Sequence, residues 1–76
     1  MTAISALERN IRALELPRLG HSTVADHADV HVLGAHVLAI VMRCAHNTEI
    51  VVQTIRDQDY TITQIDTDRD VITLTI

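Results

Sequence analysis

Apolar residues at Ile4, Leu7, Ile11 and Leu14 recur at spacings of three and four, with Glu8, Arg9, Asn10 and Arg12 between them. Such spacing lays one apolar stripe along a helix, so residues 3–15 are predicted to form an amphipathic α-helix. Ser5-Ala6-Leu7-Glu8 fits a capping box, and Glu8 and Arg12 add a favourable i, i+4 pair on the polar face. Pro17 and Gly20 then end the helix and open a loop.

Between Thr23 and His46 the apolar residues run almost without interruption, and periodicity alone does not separate a buried helix from buried strands. A helix over residues 24–45 is the favoured reading. Thr23 with Asp26 suits its start, Asp29, His36 and Arg43 form a narrow polar stripe, and Arg43 and His46 stand where a helix C-terminus prefers cations. Gly34 and the many valines oppose it, because each lowers helix propensity. Two strands broken at Gly34 are the alternative.

From Ile50 onward the period changes to two and β-branched residues accumulate. Ile50–Ile55, Tyr60–Ile65 and Val71–Ile76 therefore read as three strands of an antiparallel meander. With Asp66–Asp70 as the second turn, Ile65 faces Val71, Thr63 faces Thr73, Thr61 faces Thr75, Ile62 faces Leu74 and Tyr60 faces Ile76. That register gathers the threonine pairs on one face and the apolar residues on the other. The expected class is α+β: an N-terminal helix, a second helix or two strands in the middle, and a C-terminal three-stranded sheet whose apolar face receives the first helix.

At 76 residues the chain has room for a single domain, 1–76, with a thin core. Its 47% apolar and 21% charged composition is that of a globular protein. There is no Phe or Trp, and Tyr60 is the sole aromatic residue, so the core lacks large rings. The lone Cys44 excludes an internal disulfide, which leaves a partner as the expected support for so small a fold. The last strand runs to Ile76 without a charged tail, and such an edge is read as pairing in a homodimer, through strands or through the apolar middle segment. Cover by the loop 17–23 is the alternative.

All six basic residues are arginine, the net charge is −4, and no basic cluster exists. Direct nucleic-acid binding is therefore not expected, because the counterion-release term that drives it is missing. The N-terminus lacks the pattern of a signal peptide, and Val37–Met42 is too short an apolar run to span a bilayer. A cytoplasmic protein with no membrane contact is expected.

Five histidines, His21, His27, His31, His36 and His46, invite a metal reading, and on a helix His27 and His31 would share one face. They are weak candidates, having neither a Glu between them nor a Cys pair nearby, and no metal or other cofactor is assigned. Asp66, Asp68 and Asp70 alternate as in the opening of a calcium loop, but Val71 stands where that loop needs glycine, so a hairpin turn is the plainer reading. Cys44 faces no histidine on a helix and reads as a small buried hydrophobe. No catalytic residue is assigned.

The function expected is that of a non-enzymatic protein-binding module, a homodimeric inhibitor or adaptor of the size that phages and mobile elements encode. Asp57, Asp59, Asp66, Asp68 and Asp70, in turns at opposite ends of the sheet, would present carboxylates to a larger basic or nucleic-acid-handling protein in imitation of phosphate charge. A histidine-based metal-binding or metal-responsive protein and a small subunit of a multimeric enzyme or assembly are the alternatives.

Overall fold

The computed structural model describes residues 2–76. Helix α1 spans Ala3–Arg12 and buries Ile4, Leu7 and Ile11 of the predicted stripe, while Leu14 lies beyond its end and packs half-buried against the core. Its cap lies one turn earlier than the Ser5 box suggests: Thr2 accepts the Ser5 amide at 3.2 Å. Glu8 and Arg12 meet at 3.3 Å as their spacing predicts. The helix stops at Arg12 because the chain turns at once into β1 (Glu15–Leu16), which pairs with β2 (Ser22–Thr23) across a short 3-10 turn at Pro17–Leu19. Gly20 and His21 complete that turn with left-handed backbone angles, φ 69° and 61°.

The middle segment follows the two-strand alternative. Helix is confined to a single turn, α2 (Val24–His27), where the Thr23–Asp26 capping box does form. Then β3 (Ala28–Val32) and β4 (Val37–Met42) pair as an antiparallel hairpin whose turn contains Gly34. Tertiary pairing overrides the helical signals here. Asp29 and Arg43, expected to share a helix stripe, do meet at 2.8 Å, but across the hairpin.

The segment predicted as the strand Ile50–Ile55 is instead the helix α3 (Thr48–Asp57). Val51, Val52 and Ile55 share one face at helical spacing and are buried, and that burial outweighs the β propensity of the residue types. Two strands of the expected meander remain, β5 (Ile62–Asp66) and β6 (Val71–Thr75). Ile62 pairs with Leu74 as predicted, but a bulge at Thr63 shifts the rest, so that Gln64 pairs with Thr73 and Ile65 with Ile72. The threonine contact becomes Thr63 with Thr75, hydroxyl to hydroxyl at 3.0 Å.

The fold is α+β, with a four-stranded antiparallel sheet in the order β3-β4-β6-β5. The C-terminal strand β6 is thus interior, flanked by β4 and β5, and the expected exposed edge at Ile76 does not exist. One core joins α1, α2 and α3 to a single face of the sheet, where Leu38, Ile40, Ile72 and Leu74 are fully buried with Ile11, Val51 and Ile55. Among the described residues no polar or charged residue is fully buried.

Candidate functional site

Residues 1–46 hold four carboxylates and four arginines, whereas residues 47–76 hold six carboxylates and two arginines. The whole net charge therefore belongs to α3, β5, β6 and their turns. All five predicted partner-binding aspartates lie there. Asp57 ends α3 and accepts a hydrogen bond from the Gln53 amide at 3.0 Å. Asp59 follows in a tight turn with left-handed φ of 64°. Asp66 closes β5 and accepts the backbone N–H groups of Asp68 and Arg69 at 3.0 and 3.1 Å, a side-chain mimic of a turn that fixes the hairpin. Asp70 also takes a left-handed φ, 56°, and its carbonyl accepts the Met42 N–H at 2.9 Å. The two acidic turns stand at opposite ends of β5, on the order of 15 Å apart at the usual rise of a strand.

A groove of ≈490 Å³ opens between α3 and the β5–β6 hairpin, lined by Thr48, Glu49, Val52, Arg56, Ile65 and Asp70 among others. A strand at Ile50–Ile55, as the sequence suggests, hides this groove, which exists because Thr48 and Val52 stand one turn apart on a helix. A second groove of ≈510 Å³ lies where Pro17 and the end of α1 approach Thr54 and Asp57.

Two arginines of the first half of the chain are held by backbone and carboxylate neighbours. Arg12 donates to the Val30 carbonyl at 3.1 Å as well as to Glu8. Arg43 donates to Asp29 at 2.8 Å and to the carbonyls of Asp26 and Ala28 at 3.3 and 3.4 Å. Guanidinium groups thus cap carbonyls along β3, which is one edge of the sheet. Hydrogen bonds from the Thr23 backbone and hydroxyl hold the Asp26 carboxyl below its ordinary value of 3.8, and Arg43 does the same for Asp29 by hydrogen bond and charge.

The histidines are dispersed. His27 ends α2 with Nε2 at 2.7 Å from the Ser22 hydroxyl, and His31 is exposed on β3, so the two share no helix face. His21 Nδ1 lies 2.6 Å from Glu15. Among the described residues no three His, Cys, Asp or Glu side chains converge as a metal site would require. Cys44 is exposed rather than buried, because the segment it occupies is a loop after β4 and not an apolar helix.

Because all three helices pack on one side, the opposite face of the sheet has no covering layer. Val37, Ala39 and Val41 of β4 and Val71, Thr73 and Thr75 of β6 alternate onto that face. Leu33, in the turn that follows β3, is exposed. No helix among the described residues is long and apolar enough to cross a membrane. No protein-family model matches the chain, and no curated protein matches it.

Proposed function

We propose that this chain is a non-enzymatic protein-binding module, an inhibitor or adaptor that engages a larger basic partner through its acidic side. The observation that carries this reading is the segregation of charge. The arginines Arg12 and Arg43 of the first half are bound to backbone and carboxylate neighbours, while the entire excess of carboxylates sits on α3, β5 and their turns. A surface with so large an excess of carboxylates over its two arginines steers a basic partner and biases its orientation, as phosphate charge does for a nucleic-acid-handling protein.

The test is the affinity of the wild-type chain and of a variant with Asp57, Asp59, Asp66, Asp68 and Asp70 changed to Asn, measured against the purified partner recovered from the source cell. The expected result is salt-sensitive binding that weakens at least tenfold in the variant. Equal affinity of the two chains, at every salt concentration, would sink the proposal.

The uncovered sheet face favours a second element, self-association into a dimer. Its apolar centre of Val37, Val41 and Val71 and its polar rim of Asp29, His31, Gln64 and Asp66 have the anatomy of a protein interface. Sedimentation should then show a concentration-dependent dimer that Val41→Lys returns to monomer. A wild-type chain that stays monomeric at high concentration removes the dimer and leaves the acidic-surface reading intact.

A further inference from the structure

The sheet face that no helix covers is laid out as a grid. Asp29, Val41, Val71 and Asp66 stand in one row across the four strands, and His31, Ala39, Thr73 and Gln64 in the next. Charge is divided between the two flanks. On the β3 flank Arg43 bonds Asp29 at 2.8 Å and is steadied by the carbonyls of Asp26 and Ala28, with His31 in the neighbouring row. On the β5 flank Asp66 is the one charged residue of the strand, and its Oδ1 is the oxygen that accepts the turn N–H groups, so Oδ2 stays open. The centre is uneven as well as apolar. Ala39 is only 5% exposed, a hollow between Val37 and Val41 along its strand and His31 and Thr73 across it.

Two such faces related by a two-fold axis pack with their strands aligned, and the axis runs either across the strands or along them. Across the strands, every strand meets its own copy. Ala39 then lies over Ala39 and leaves a void, Thr73 crowds Thr73, and Asp66 meets no cation. Along the strands, β4 lies over β6 and β3 over β5. Thr73 of one copy then fills the hollow at Ala39 of the other, Val41 meets Val71, and the Arg43–Asp29 pair lies over Asp66, so that each guanidinium stands between two carboxylates. Four strands about 4.8 Å apart, each with five residues rising about 3.3 Å, give a face that buries on the order of 1,000 Å² when two copies meet, enough for a weak specific dimer. We propose that this face pairs with a second copy of the chain about an axis along the strands, with Arg43 of each copy meeting Asp66 of the other. The inference rests on the dimer reading above and adds its orientation and its ion pair.

The deciding measurement is isotope-filtered NOE spectroscopy on an equimolar mixture of ¹³C-labelled and unlabelled wild-type chain at high concentration, which needs no variant. The expected contacts run from the Val41 methyls to those of Val71, and from Ala39 to Thr73, of the other copy. Contacts from Val41 to Val37 and from Ala39 to Ala39 would place the axis across the strands, overturning this orientation and leaving the dimer in place. Contacts confined to the helices, or none in a chain that sediments as a monomer, overturn the orientation and the face dimer together. Charge exchange gives an independent readout. Arg43→Glu and Asp66→Arg should each weaken self-association about tenfold, because each dimer then holds two like-charged contacts. Mixing the two variants should restore it, since both contacts again join opposite charges. A mixture that associates no better than either variant alone, with both folded, overturns the ion pair.

Discussion

In the first half of the chain the charged side chains of Arg12, Asp26, Asp29 and Arg43 are structural fixtures, and in the second half most carboxylates are left to solvent. Arg43 joins Asp29 and two carbonyls into one knot beside β3, and Arg12 ties α1 to the same strand. On the other side, Asp57 and Asp66 bond only within their own helix end and turn, and Asp68 carries no such bond. Both halves nevertheless contribute to one core. The contrast teaches that a count of charges says little about availability: the neutral first half and the acidic second half can be counted along the chain, but which of those charges are bonded and which stand open is set by the fold.

The shared core is the first thing to challenge. Ile11→Ala in α1 and Ile55→Ala in α3 each remove a fully buried side chain, and each should cost about 2–5 kcal/mol, enough to unfold much of so small a domain. Urea denaturation should show one transition for both variants; a half that survived the loss of the other would break the idea of a single core. Next in size, Arg43→Ala should cost about 0.5–1 kcal/mol, discounted because the ion pair is half exposed, with β3 amides exchanging faster.

Acid sharpens the contrast further. Asp26 and Asp29 have carboxyls lowered in the folded state, so the unfolded chain binds more protons below pH 3.8. Their stabilisation is therefore fully present above that pH and is lost as pH falls through the folded values. Melting temperatures from pH 5 downward should fall less steeply in Asp26→Asn with Asp29→Asn than in the wild type. The smallest effect is expected on the open side: Asp68→Asn should change stability by no more than about 0.5 kcal/mol, and a larger loss would show that this carboxylate is structural.

Much of this architecture is legible in the amino acids. The stripe of α1 and the two C-terminal strands announce themselves through spacing, whereas Gly34 signals a break only weakly against the helical features around it. Two segments mislead for a physical reason. β4 is a central strand with apolar residues on both faces, so it lacks the alternation that marks a half-buried strand, and its continuous run imitates a buried helix. α3 is built from Ile, Val and Thr, whose β preference is weak beside the burial of Val51, Val52 and Ile55 against the sheet. The bulge at Thr63 has no sequence signature, since neither glycine nor proline marks it. Of the candidate site, the acidic turns could be read directly, but the groove depends on α3 being a helix and so stayed hidden.

The order β3-β4-β6-β5 also has a kinetic meaning. Each outer pair is a hairpin closed by a four-residue turn, whereas β4 meets β6 only after the whole of α3 and β5 has been gathered between them. Short loops close in well under a microsecond and long ones meet a growing entropic barrier, so the two hairpins can form early and the β4–β6 seam is expected to form last. Mutations at that seam, such as Ile40→Val, should then act mainly on the rate of unfolding, and those in the hairpin turns on the rate of folding. A chain so divided assembles as two prefabricated halves, and the time it takes to fold is the time they need to find each other.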